Sequence, residues 1–128
     1  MERDNKMNVL LITKTHSTET DLVNFLQLNQ VNFDIADNEL VGIQKAHQNT
    51  FDIVVMDADE SDQQIDQAIR ILKDCNPKVR IIVRTDANSR DLECQVRKES
   101  IFYYHVNSFG NQEFTSALSS ALELGNTL

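Results

Sequence analysis

The sequence contains little of what marks a secreted, membrane-spanning or nucleotide-stacking protein. It has two cysteines, one proline, three glycines and no tryptophan among 128 residues. Cys75 and Cys94 lack the spacing of a metal site, so we predict free thiols in a reducing cytoplasm. No apolar run approaches the roughly 18 residues that a membrane helix needs, and the polar start MERDNKM predicts no secretory signal. We expect a cytoplasmic protein with no membrane partner.

Positive charge is also scarce. The chain carries 20 acidic and 12 basic side chains, which gives a formal net charge of −8. Binding to nucleic acid or to an anionic membrane surface depends on clustered lysine and arginine, and no such cluster offsets the acids. The charge balance therefore predicts no direct contact with nucleic acid.

What the sequence does contain is a fivefold alternation of apolar runs and amphipathic stretches. The apolar runs that we interpret as strands are residues 9–12, 31–36, 53–56, 79–83 and 101–106. The segments between them repeat apolar residues at helical spacing. Five such units with short links predict a parallel sheet with helices on both faces. We expect a single domain over residues 1–128, with its core at about 7–124. Its predicted fold is α/β, a flavodoxin-like (βα)5 three-layer sandwich of strand order 2-1-3-4-5.

Polar residues stand at the ends of four of these strands. In a sheet of this order, ligand sites form at the carboxyl ends of the strands, near the switch point between strands 1 and 3. The residues that line those ends are Thr13, Lys14, Asp57, Thr85 and Asn107. Asp57 follows a fully apolar run, where a carboxylate is costly to bury unless something compensates its charge. The sequence thus predicts one crevice centred on Asp57.

The pattern around Asp57 resembles the CheY-like receiver domain of response regulators in two-component signalling. The run FDIVVMD, residues 51–57, is similar to the family's strand that ends in the phosphoacceptor aspartate, and the resemblance implies that position for Asp57. Thr85 matches the family's Thr or Ser at the end of strand four. Tyr104 matches the aromatic switch position of strand five, and Phe109 the last residue of the family's Lys-Pro-Phe.

Other positions depart from the family pattern. Thr13 and Lys14 stand where the family has two acids that hold Mg²⁺, and Asn107 stands where it has a lysine. Asp86 follows Thr85, where the family has a small residue. Phosphoryl transfer relies on positive charge around the phosphoryl oxygens, and Mg²⁺ needs oxygen ligands. We therefore predict that Mg²⁺-dependent phosphorylation is lost, that the chain is not an enzyme, and that it needs no cofactor.

Lys14 suggests how the charge of Asp57 is compensated. A lysine that ends strand one lies next to strand three, so we hypothesise that its ammonium group replaces Mg²⁺ as the counter-ion of Asp57. One alternative is that Lys14 points to solvent beside a hydrated carboxylate. Another is that Asp59, Glu60 and Asp86 rebuild a metal site together with Asp57.

Three interpretations of function remain open. The first is an atypical receiver-like module of phosphorelay signalling that acts through protein–protein contact without Mg²⁺-dependent phosphorylation. The second is a working receiver, phosphorylated at Asp57 with Mg²⁺ as its cofactor. The third is a small flavodoxin-like protein that binds an anion or a flavin at the Thr/Ser-rich residues 13–20, a segment without the glycine that such loops use.

The resemblance also implies partners. In the family, the face made by helix four, strand five and helix five is the usual contact surface. It implies a signalling protein or a sensor kinase as partner, or a homodimer through the same face. The basic residues near this face are expected to be solvated charges, and they are Arg84, Arg90, Arg97 and Lys98.

Overall fold

Strands and helices alternate along the chain. The computed structural model describes residues 7–13, 19–59, 61, 63–87 and 89–123. The elements are β1 (Asn8–Ile12), α1 (Glu19–Leu28), β2 (Asn32–Ala36), α2 (Glu39–Gln48), β3 (Ile53–Ala58), α3 (Ile65–Cys75), β4 (Arg80–Thr85), α4 (Arg90–Arg97), β5 (Tyr103–Val106), a short 3₁₀ turn (Asn107–Phe109) and α5 (Asn111–Leu122). The strands form one parallel sheet of order β2-β1-β3-β4-β5. This confirms the predicted flavodoxin-like arrangement.

The central strands are apolar on both sides because helices cover both faces of the sheet. Successive side chains of a strand point to opposite faces. Leu10 and Val54 lie on the face that packs against α2, α3 and α4. Val9 and Val55 lie on the other face, which packs against α1 and α5 and which we call the α1/α5 face. This division decides which of the polar residues at the strand ends can meet.

Capping side chains mark the beginnings of α2 and α4, and a glycine allows α2 to pack closely against β1. Asn38 caps α2 by accepting a hydrogen bond from the backbone N–H of Val41 at 2.9 Å. Ser89 caps α4 in the same way. Gly42 lets α2 approach β1 closely, because a Cβ at this position would lie 2.5 Å from Cδ1 of Ile12.

Strands β3 and β4 extend beyond the apolar runs that predict them. β3 continues to Ala58, so Asp57 lies within the strand, and β4 continues to Thr85, so Arg84 does too. Ladder pairing between Ala58 and Thr85 extends both strands, although their last residues are not all apolar. As a result Asp57 and Arg84 are direct neighbours across the sheet.

Candidate functional site

Three titratable side chains form a row across the carboxyl ends of β3, β4 and β5. The register pairs Asp57 with Arg84, and Arg84 with His105. Each of the three is two positions from a residue that packs on the α1/α5 face, so alternation places the whole row on that face. We refer to it as the Asp57–Arg84–His105 row.

Arg84 and Asp57 form a buried ion pair. Arg84 Nε donates a hydrogen bond to Oδ1 of Asp57 at 3.1 Å, and Nη2 lies 2.9 Å from the same oxygen. The side chain of Arg84 is 6% exposed and that of Asp57 is 17% exposed. The guanidinium carbon also lies 5.1 Å from the ring centroid of Phe114. The cation is therefore held between a carboxylate and an aromatic ring.

The expectation that Arg84 is a solvated surface charge is wrong. It assumes that strand four ends at Val83, whereas β4 continues and turns Arg84 toward the α1/α5 face. One signal in the sequence indicates that Arg84 faces the protein interior. Arg84 lies two positions after Ile82, a buried residue of the same strand, so the two side chains point to the same face.

His105 completes the row as a buried residue. It is 1% exposed, and neither of its ring nitrogens has a hydrogen-bond partner among the described residues. Its ring lies between those of Tyr103 and Phe114, at centroid distances of 6.0 and 5.4 Å. Burial lowers the pKa of His105, and the nearby Arg84 charge lowers it further, while Glu113 acts in the opposite direction.

The predicted residues at the ends of β1 and β4 are placed as follows. Thr13 is buried, and its backbone N–H donates to the carbonyl of Ala36 at 2.9 Å. Thr85 is buried, and its hydroxyl oxygen accepts from the backbone N–H of Ala87 at 3.0 Å. Lys14 lies outside the described residues, as do 15–18 of the segment proposed for an anion or a flavin. The Lys14–Asp57 pair and the flavin alternative both stay predictions.

The remaining polar residues near Asp57 bond to local partners. Asn107 Nδ2 donates to Oδ1 of Asp86 at 2.8 Å. Asp59 Oδ1 accepts from the backbone N–H of Ser61 at 2.8 Å and also contacts the Ser61 hydroxyl. In the part of the chain that the structure describes, which excludes Glu60, no group of three His, Cys, Asp or Glu side chains could hold a metal ion. Asp59 and Asp86 thus have local partners, while Lys14 and Glu60 lie outside the described residues.

The two aromatic residues of the predicted switch and interface differ in exposure. Tyr104 is 7% exposed and lies in the core on the opposite side of the sheet from the row. The guanidinium carbon of Arg97 lies 5.7 Å from the Tyr104 ring centroid. Phe109, in the 3₁₀ turn, is 63% exposed, and Phe102, just before β5, is 42% exposed. Exposed aromatic surface therefore flanks β5 at the edge of the sheet.

A cavity of about 170 Å³ opens between α1 and α5, next to the row. We call it the α1/α5 cavity. Its apolar wall consists of Leu22, Phe25, Phe114 and Leu118. Its polar lining consists of Asp21, Arg84, Asn107, Asn111 and Thr115. Sequence patterns give no sign of this cavity, because it depends on how two helices distant in sequence pack on the same face.

Among the described helices, none is both long and apolar enough to cross a membrane.

Comparison with known proteins identifies the fold. No protein-family model matches the sequence, and no curated protein matches it. Among solved structures, a response regulator protein from Burkholderia pseudomallei is 22% identical, with a TM-score of 0.76 over 93% of this chain and 71% of that one. The signal receiver domain of an HD domain-containing protein from Pseudomonas fluorescens Pf-5 is 18% identical, with a TM-score of 0.81 over 94% and 97%.

A CheY-like response regulator receiver domain protein from Methanospirillum hungatei JF-1 is 12% identical, with a TM-score of 0.81 over 94% of this chain and 96% of that one. These three structures share the strand and helix arrangement described above. The chain therefore has the fold of response-regulator receiver domains.

Proposed function

We propose that the chain is a receiver-like signalling module that acts by protein–protein contact, with Asp57 neutralised by Arg84 instead of by Mg²⁺. The observation that carries this proposal is the buried ion pair, in which one Asp57 oxygen faces two nitrogens of the guanidinium group. A carboxylate with a resident cation needs no metal ion to compensate its charge. By comparison, the similar Burkholderia structure contains a phosphorylated aspartic acid and a calcium ion.

The surroundings of Asp57 support the same conclusion about its chemistry. Arg84 already neutralises the Asp57 carboxylate through Oδ1, so a cation at this site would meet the positive charge of the guanidinium group. Asp86 and Asp59 bond through one oxygen each to Asn107 and Ser61. Mg²⁺ needs several oxygen ligands in near-octahedral geometry, and these local bonds oppose such an arrangement. We infer that the chain is not an enzyme and uses no cofactor.

The test is a phosphorylation challenge. Wild-type protein is incubated with Mg²⁺ and acetyl phosphate beside a receiver known to accept a phosphoryl group, and intact masses are measured. We expect the control receiver to gain one phosphoryl group and this chain to gain none. Stoichiometric modification that disappears in Asp57→Asn would instead support the alternative, a working receiver.

A rebuilt site extends this test. Arg84→Val removes the resident cation, while Thr13→Asp and Asn107→Lys supply an acid and a lysine at the positions where the family has them. The triple variant is compared with Arg84→Val alone, which frees Asp57 but adds no new ligand. We expect Mg²⁺-dependent modification of the triple variant at a rate at least about tenfold above that of wild type, because charge around the phosphoryl oxygens is what such transfer needs.

We assign the protein contact to the face formed by α4, β5 and α5. Phe102 and Phe109 expose aromatic surface there, and exposed aromatic residues are enriched at interfaces. The partner is a signalling protein such as a sensor kinase, or a second copy of the chain. Sedimentation velocity over a range of concentrations tests the homodimer. Phe109→Ser should weaken it, whereas Leu40→Ser, which removes another exposed apolar side chain on α2, should not.

A further inference from the structure

We propose that the α1/α5 cavity binds a small organic monocarboxylate whose apolar body is about the size of one aromatic ring, with its carboxylate group on Arg84. The inference goes beyond the proposed function, and it depends neither on phosphorylation nor on a protein partner. The unused donors of Arg84, the charges that line the cavity, and the volume and apolar walls of the cavity support it.

Arg84 has more hydrogen-bond donors than Asp57 uses. A guanidinium group carries five N–H donors. Asp57 accepts a hydrogen bond from Nε through Oδ1, and Nη2 lies 2.9 Å from the same oxygen, while no other acceptor contacts Arg84 among the described residues. Arg84 is only 5% exposed and lines the cavity. A ligand in the cavity would supply an acceptor for the donors that Asp57 leaves unused.

The charges around the cavity select the class of acceptor. Arg84 is the only cation among the described residues that line it, and Asp21 is the only acid. Asp21 is exposed, so water screens its repulsion, whereas Arg84 is buried. A guanidinium group pairs with carboxylate and with phosphate in the same bidentate geometry, so shape does not separate the two. One cation beside one acid balances the charge of a monocarboxylate better than that of phosphate, which carries up to two charges at neutral pH. A singly charged carboxylate is therefore favoured over phosphate.

The walls and the volume select the rest of the ligand. Phe25, Phe114 and Leu118 provide an apolar wall beside Arg84. A dry apolar cavity of about 150 Å³ holds a benzene molecule, and this cavity is slightly larger, at about 170 Å³. Asn111 and Thr115 on α5 offer further polar groups to the carboxylate. Benzoate has the charge, the shape and the size that these residues require.

Binding at this position would also reach Asp57. The ligand and Asp57 would share one guanidinium group, so an occupied cavity would reduce the positive charge available to the Asp57 carboxylate. The receiver-type site would then respond to a small molecule through Arg84.

The experiment is a titration of ¹⁵N-labelled full chain with sodium benzoate, followed by two-dimensional NMR that includes the Arg84 Nε–H signal. We expect saturable shifts of Arg84 Nε–H and of the Thr115 amide. Benzyl alcohol lacks the charge, acetate lacks the ring, and inorganic phosphate lacks the ring and carries up to two charges. Each should bind at least about tenfold more weakly. Absence of saturable shifts, shifts confined to another part of the chain, or equal affinity for any of the three would overturn the proposal.

Variants that keep Arg84 and Asp57 in place complete the test. Thr115→Phe fills the cavity and should abolish benzoate binding, whereas Thr115→Ser keeps the hydroxyl, leaves the cavity open and should bind within about threefold of wild type. Asp21→Asn removes the opposing charge and should tighten binding about two- to threefold. The NMR spectra of the three variants also report whether each is folded. Benzoate binding by folded Thr115→Phe with wild-type affinity would place the ligand elsewhere and refute the assignment.

Discussion

Replacing Arg84 by methionine should destabilise the protein far more than replacing an arginine at the surface. Methionine keeps most of the aliphatic stem of Arg84 but removes the guanidinium group from Oδ1 of Asp57. The carboxylate would then stay in the folded protein without its counter-ion. Removal of one partner of a buried ion pair typically costs about 3–5 kcal/mol.

The partial exposure of Asp57 places the expected loss at the lower end of this range. The side chain of Asp57 is 17% exposed, and no described residue bonds to its second oxygen, so water can hydrate part of the unpaired charge. We therefore expect Arg84→Met to lower the free energy of unfolding by about 3 kcal/mol at neutral pH. In the double variant Asp57→Asn/Arg84→Met no charge is left unpaired, and the loss should fall to about 1 kcal/mol.

Urea unfolding followed by circular dichroism measures these differences in the free energy of unfolding, provided that its slope against urea concentration, the m value, is the same for all variants. The matched control is Arg80→Met on the same strand. Arg80 pairs with Glu123 at 2.9 Å and donates to the Ala121 carbonyl, but the two paired side chains are 35% and 60% exposed, so water can replace these bonds and the loss should stay at about 1–2 kcal/mol. The pairing of Arg84 with Asp57 would be refuted if Arg84→Met cost no more than the control. An equal loss in the Asp57→Asn background would refute it as well.

Three further predictions concern His105 in the row and two positions elsewhere in the fold. Because the pKa of His105 is lowered in the folded chain, the unfolded chain binds more protons in acid. The free energy of unfolding should therefore decrease as pH falls below about 6.5, and His105→Phe should show a shallower decrease in the same urea series. Gly42→Ala should cost about 1–3 kcal/mol, because the new methyl group meets the buried side chain of Ile12, and adding Ile12→Val should restore part of that loss. Ser89→Ala should lower the free energy of unfolding by about 1 kcal/mol, because the Leu92 N–H loses its hydrogen bond to the Ser89 hydroxyl. Ser89→Asp should retain this stability, because its carboxylate can accept the same hydrogen bond.

The architecture could be predicted because it rests on local patterns. Apolar runs covered on both faces, helical periodicity and short links restrict the chain to a parallel sheet between two layers of helices. The position of Asp57 at the carboxyl end of its strand followed from the same pattern. The strand limits were less certain, because β3 and β4 extend by pairing with each other and not through apolar residues alone.

The counter-ion of Asp57 could not be predicted with the same method. Lys14 looked like the natural partner because it follows the neighbouring strand, and it lies outside the described residues. Arg84, which the sequence indicates as a solvated charge, bonds to Asp57, and the Lys14–Asp57 pair stays a prediction. Alternation from Ile82 gives the face of Arg84 only if the strand continues past Val83, and composition does not fix where the strand ends.

The sequence alone determined that this chain folds as five βα units with a carboxylate at the edge of its sheet. It did so because burial of apolar side chains on both faces of a sheet leaves few alternatives. Only the tertiary structure decided that Asp57, Arg84 and His105 form one row, and that a cavity opens beside it between α1 and α5. The row arises from the register of neighbouring strands, and the cavity from the packing of two helices that are far apart in sequence. Local sequence patterns specify neither, because both depend on contacts between distant segments.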